Sequence, residues 1–413
     1  MKRTALLLAG VLLLSAGTAT AAWEGQITET DGVTTIVNPE TPAMGVVQQV
    51  LEEQWRRGGD DDEIFFGTIA EFLHDVDGNL YLLDGQLSEI QVFDPEGEHL
   101  RTIGRQGEGP GEFQNGADMF WAPGGEIGVV QAWPGKVVMI TAEGDPGPTF
   151  SLPYRDGGGF QSVTRAAGHE DVIVMAGTAW TREDGKQLQF TYLKSYDAAG
   201  EERATFVETS KEVQFGDYEF IEQDYVDFQR RWTVAPDGRV AAALSFEDYR
   251  IHIWKADGTL DRIIERPGYE KVERDSAEKS RFQTMFEGFT RWNRGSTFKV
   301  SDAHQTIGQM FFRQDGTLWV QSGAHQWRAP EGVYTSFDVY DAMGRFQQQV
   351  DLVADADAVD DGLFFVGDNA YVVTDLWNAV MARFAGGEGD EDMDAEPVEV
   401  VAYRFEPQVA AGP

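Results

Sequence analysis

Six histidines are the first residues whose chemistry matters: His74, His99, His169, His252, His304 and His325. No two stand at i, i+4, and there is no His-Glu-x-x-His, so no helical zinc pair is encoded. Ligation from separate strands is the remaining route. His304 and His325 flank two adjacent apolar runs, and His74 stands near the start of another, so these three are the candidate metal ligands. Cysteine is absent, which removes thiolate metal sites, thiol nucleophiles, disulfides and an N-terminal lipid-anchor cysteine together. No Gly-x-Ser-x-Gly elbow occurs. The glycine-rich stretch from Gly104 to Gly111 lacks the Lys and the following helix of a phosphate loop, and reads as a flexible crossover. No catalytic residue is assigned.

Binding chemistry is better represented. Asp84, Gln131, Ser322 and Asp375 each stand six positions after a turn Gly or Asn, at the end of an apolar run. Trp133, Trp180, Trp327 and Trp377 follow in the loops of four units. Trp joins a large apolar face to an N–H donor, so a rim of such residues makes a platform for sugars or aromatic ligands. The competing reading is that they wedge neighbouring sheets together. Asp84 and Asp375 are also the carboxylate pair that would share a cation or divide acid and base roles if brought together.

The elements that must position these residues repeat along the chain. Asp77-Gly78-Asn79 is followed by a second turn at Asp94-Pro95-Glu96-Gly97. The same pairing recurs at Gly124-Gly125 and Glu143-Gly144, at Glu170-Asp171 and Ala199-Gly200, at Asp237-Gly238 and Asp257-Gly258, and at Asp315-Gly316 and Met343-Gly344. A sixth first turn is Gly367-Asp368-Asn369. Asp-Gly and Gly-Asn pairs supply the positive φ of tight hairpins, and β-rich runs such as Leu318-Trp319-Val320 flank them. Each unit is therefore four short antiparallel strands, and six units predict an all-β six-bladed propeller. Val33 to Val37 is the N-terminal run expected to close the ring as the outer strand of blade six. The tight turns define one face of the ring. The longer loops define the other, where the polar ends and tryptophans gather around the channel mouth.

The stretch Asp77-Gly78-Asn79-Leu80-Tyr81-Leu82-Leu83-Asp84, then Ile90 to Gly97, then Ile103 to Phe113, resembles the NHL-type repeat, and is most similar to exported bacterial six-bladed β-propellers. The resemblance is close in blade one and degenerate in blades two to six. It implies a fold rather than an activity, because NHL-like propellers include scaffolds, sensors and lyases. A zinc site of histidines from separate blades is what a lyase of that kind would require.

Lys2 and Arg3 precede an apolar run, Ala5 to Leu14, and then Ala19-Thr20-Ala21. This reads as a signal peptide over 1–21, since ten apolar residues fall short of the ~20 that span a bilayer. A single propeller domain is expected over 23–413, soluble, monomeric, and periplasmic or secreted. The formal charge of -37 repels phosphate backbones and excludes nucleic acid as a partner. Two inserts join the loop face. One, from Phe206 to Arg231, carries Asp217, Tyr218, Phe220, Asp224, Tyr225, Asp227 and Phe228. The other, about 269–293, carries a capping pattern at Asp275-Ser276-Ala277-Glu278 and then Phe282, Met285, Phe286 and Phe289 at helical spacing, and is expected to be the only long helix. The run 386–396 reads as a solvated acidic loop. No cofactor is expected; zinc at the histidines and calcium at an acidic site are the ions these residue types admit. The leading expectation is a scaffold for a protein, glycan or small-molecule ligand, and the alternative is a metal-dependent lyase or hydrolase at the channel mouth.

Overall fold

A computed structural model describes residues 22–60, 62–150, 159–213, 219–225, 230–292, 296–385 and 397–405. Residues 1–21, read from the sequence as a signal peptide, the acidic run 386–396, and Asp217, Tyr218, Asp227 and Phe228 lie outside the described residues.

The chain forms six blades. Blade one is Ile69–His74, Leu80–Asp84, Glu89–Phe93 and His99–Ile103. Blade two is Gly116–Trp121, Ile127–Gln131, Lys136–Ile140 and Pro146–Phe150. Blade three is Gly159–His169, Val172–Glu183, Lys186–Asp197 and Glu202–Val213. Blade four is Trp232–Val234, Val240–Ala242, Arg250–Trp254 and Leu260–Glu265, and blade five is Ile307–Phe312, Leu318–Ser322, Thr335–Tyr340 and Phe346–Val353. Blade six is Gly362–Val366, Asn369–Val373 and Glu399–Arg404, completed by Glu52–Gly58 from the N-terminal region. The predicted turns have the backbone their glycines permit: Gly78 lies at φ 85° and Gly97 at 82°.

Both faces of each sheet are apolar because both are covered. In Leu80–Asp84, Leu80 and Leu82 point to one side and Tyr81 and Leu83 to the other. The first pair packs with Phe364 and Tyr371 of blade six, the second with Met119 and Ile127 of blade two. Six such cores stand one between each pair of adjacent blades, so packing continues around the whole ring.

Ring closure corrects the sequence expectation. Val33–Val37 pairs in parallel with Leu260–Glu265 at the outer edge of blade four, not with blade six. The N-terminal segment then adds Val46–Val50 in parallel to blade five. Only after that does Glu52–Gly58 pair antiparallel with Glu399–Arg404 to complete blade six. This closing strand is rich in charge and lacks a β-rich run, which hid it. Its side chains fasten it outward: Trp55 Nε1 donates to the Pro95 carbonyl at 3.2 Å, and Arg57 donates to the Gly97 carbonyl at 2.7 Å and to Glu98 at 2.8 Å.

Among the described residues, four helices occupy the loop side: α1 (Glu222–Tyr225), α2 (Ser276–Trp292), α3 (Gly323–Trp327) and α4 (Leu376–Ala385). The α2 cap is the predicted one. Asp275 Oδ1 accepts from the Ala277 and Glu278 amides, and Glu278 returns a carboxylate to the Asp275 amide at 2.8 Å. Helix α4, ten residues long, departs from the expectation of a single long helix. No helix among the described residues is long and apolar enough to cross a membrane.

Candidate functional site

The polar residues that end the second strands hold their own loops. Asp84 is fully buried, and its carboxylate accepts from the amides of Gly67 (2.6 Å), Gln86 (3.0 Å) and Leu87 (2.9 Å). Burial raises its pKa, against the pull of those amides. Gln131 does the same work in blade two, accepting from the Gln114 amide at 3.0 Å and donating to the Trp133 carbonyl at 3.2 Å. Ser322 caps α3 in blade five. Asp375 differs. Its side chain accepts from Asn378, and it lines a cavity of 780 Å³ with Arg56, Asp60, Asp355, Asp357 and Asp361. Asp84 is not among that cavity's lining residues. Burial also raises Asp361, whose two oxygens accept from the Asp375 and Asp357 amides.

The four tryptophans divide into two pairs. Trp133 of blade two meets Phe160 of blade three edge to face, with ring centroids 4.4 Å apart, and Phe160 stacks on Trp180 at 4.4 Å. Trp133 is 60% exposed at the end of this ladder. The other pair is covered. Phe282 of α2 stands 5.8 Å from both Trp327 and Trp377, and Trp327 stacks on His304 at 3.9 Å. Arg281 lies over the Trp377 ring at 4.5 Å and Arg274 over Phe282 at 3.6 Å, so α2 is pinned by cation–π as well as apolar contact.

Beneath α2 lies a buried ion pair. Arg274 and Glu222 make two bonds of 2.7 Å, with side chains 2% and 4% exposed. The Ser301 amide adds a third bond to Glu222 at 2.8 Å. Arg274 Nε donates to His304 Nδ1 at 3.3 Å, and His304 Nε2 lies 3.2 Å from Glu278. Burial, opposed by Glu278 and assisted by Arg274, lowers His304 to about 4, so its imidazole is neutral. Arg328, at 2.6 Å, holds Glu278 down to about 2.

The three candidate metal ligands are not brought together. His74 ends its strand beside the tight turns, on the face opposite the channel mouth, and its Nε2 is 2.6 Å from the Tyr371 hydroxyl. His304 is enclosed under α2, and His325 in α3 has its Nε2 3.8 Å from Asp338. Among the described residues no three His, Asp or Glu side chains group as a metal site.

Sequence reasoning missed a ring of polar side chains on the innermost strands. Glu71 pairs with Leu83, Asp118 with Val130, Arg165 with Ala176 and Gln309 with Gln321. Each partner lies five positions after its turn residue, and the innermost strand of each of these four blades has a bulge at this level. Burial and then the Glu71 charge raise Asp118 up to about 8, while Arg165 and the Ala166 amide oppose the shift. Burial lowers Arg230, which the charges of Glu71 and Asp118 support. Asp118 thus stands in the field of one other acid, Glu71, and its charge is linked to the Arg165 and Arg230 guanidiniums. The sequence signal was the common register with the turns.

The family model that matches agrees with the blades described above. The family described as 6-bladed beta-propeller (DUF5128) matches residues 61–153, blades one and two, including the blade-one repeat motif. No curated protein matches the chain. A member of the DUF4221 family from Bacteroides vulgatus is similar at 11% identity and TM-score 0.45, over 86% of this chain and 97% of that chain. The WD40 repeats of RRP9 are similar at 10% identity and TM-score 0.42, over 86% and 100%. Virginiamycin B lyase from Staphylococcus aureus is similar at 8% identity and TM-score 0.39, over 84% and 98%. Likeness at this level carries no argument about activity.

Proposed function

We propose that this protein is an exported, NHL-like propeller that serves as a binding scaffold, engaging its ligand or partner through the loop face at blades two and three. The observation that carries this reading is the exposed end of the Trp133–Phe160–Trp180 ladder. An aromatic residue more than half exposed beside two others offers apolar area that the fold itself leaves uncovered. Blade three also reaches outward. Its second strand has 12 residues where that of blade one has 5. Seven extra residues at ~3.4 Å each extend the hairpin about 24 Å on the loop side. Export rests on the N-terminal charged, apolar and small-residue pattern. The alternative, a metal-dependent lyase or hydrolase at the channel mouth, would need ligands other than His74, His304 and His325 as a set.

The test is a binding screen of immobilised oligosaccharides and peptides of defined sequence against the wild type and Trp133→Ala/Trp180→Ala. The expected result is a probe retained by the wild type and lost by the variant. Binding that survives unchanged in the double variant contradicts this assignment of the face.

A further inference from the structure

The ladder face of blade three carries more than rings. Gln189 pairs directly with Trp180 across the sheet, so the two side chains share one face. Gln189 is 9% exposed, and its Oε1 has no hydrogen-bond partner among the described residues. A buried amide oxygen left without a donor bears its desolvation cost uncompensated, unless something arriving from outside donates to it. The rest of the face is rich in hydroxyls. Ser162 and Thr178 face each other across the ladder with their hydroxyl oxygens 2.8 Å apart, and Thr191 is the next partner of Thr178. No carboxylate stands among these positions, in a chain with 70 acidic residues. Lys211, opposite Gln189 on the outer strand, is engaged in a contact of its own.

We infer that this strip binds a neutral saccharide, an inference that rests on the loop-face reading above. The apolar C–H face of a pyranose ring lies on the exposed indole of Trp133, as aromatic platforms favour. A ring hydroxyl donates to Gln189 Oε1, and the hydroxyls of Thr178 and Thr191 are placed beside it to exchange further hydrogen bonds. The lining also selects against charge. An anionic chain would meet the field of a protein with formal charge -37, and a cationic ligand would find no carboxylate on this strip. A sugar brings many donors without charge, which is what an orphaned amide oxygen among hydroxyls and aromatic rings can use.

The experiment is isothermal titration of the full chain with maltohexaose, cellohexaose and mannohexaose, with hexagalacturonate and a defined aromatic peptide as contrasts. At least one neutral hexasaccharide is expected to bind, and hexagalacturonate is not. Trp133→Ala is expected to weaken that binding roughly tenfold or more. Gln189→Leu, which removes the orphaned acceptor, is expected to weaken it roughly fivefold while the melting temperature stays level or rises. That combination separates a ligand contact from a structural one. Failure of all three neutral sugars, or unchanged affinity in Gln189→Leu, overturns the saccharide assignment. If the peptide binds instead and Trp133→Ala abolishes it, the saccharide is wrong and the scaffold reading stands. If nothing binds at this face, both fall.

Discussion

Trp133 and Phe160 come from different blades, yet their rings meet edge to face at 79° with centroids 4.4 Å apart. The contact is asymmetric in its consequences. Trp133 is 60% exposed and gives the fold little buried area, whereas Phe160 is partly buried between two tryptophans. Trp133→Ala should therefore change stability by less than about 1 kcal/mol, and Phe160→Ala should cost about 1–3 kcal/mol. Urea titrations of the two variants check the order. The reverse order would make Trp133 a structural wedge.

The ring is closed by a strand whose anchor is Trp55. Its indole stacks near Phe93 of blade one at 6.0 Å and also lies 6.0 Å from Tyr371 of blade six. Trp55→Ala should cost about 3 kcal/mol and open the seam between blades six and one first. Hydrogen exchange should then rise most in 52–58 and 399–404. A uniform rise across all blades would show that the seam is no weaker than the rest.

The Glu222–Arg274 pair is buried, doubly bonded and mutually dependent. Removing one partner leaves the other's charge buried, so Glu222→Ala should cost about 3–5 kcal/mol. Replacing both, as Glu222→Gln with Arg274→Met, should recover much of that loss. A double-mutant cycle in urea provides the measurement, and additive losses would argue against coupling.

The pH dependence follows from His304. Its folded-state pKa of about 4 lies below the ~6.5 of an unfolded histidine, so between these values the unfolded chain binds more protons. Stability from this residue is complete above pH 6.5 and is lost as the pH falls toward 4. His304→Asn should start from a lower melting temperature, having lost the stack on Trp327 at 3.9 Å, but should decline less steeply over that window. Parallel slopes for the two proteins would assign the acid sensitivity elsewhere.

The blades were legible in the sequence because tight turns impose local residue rules. Gly78, Gly97, Gly125 and Gly144 adopt the positive φ that their positions in the repeat required. The closing strand was not legible, because Glu52–Gly58 earns its place by pairing with Glu399–Arg404 far along the chain rather than by its own β propensity. The candidate site was half legible. Trp133 and Trp180 were named from their loops, but Phe160, which joins them, was not. Glu71 and Asp118 look like ordinary members of short strands until the turn register and the bulges align them. Asp84 and Gln131 share one position in the repeat, and there their side chains accept loop amides.

The most direct test of the loop-face account is hydrogen–deuterium exchange of the wild type with and without the tightest probe from the binding screen. Protection is predicted at 131–135, 159–162 and 178–191, where the ladder and the blade-three hairpin stand. Protection confined to the tight turns at 75–79 and 94–98, on the opposite face, would contradict it.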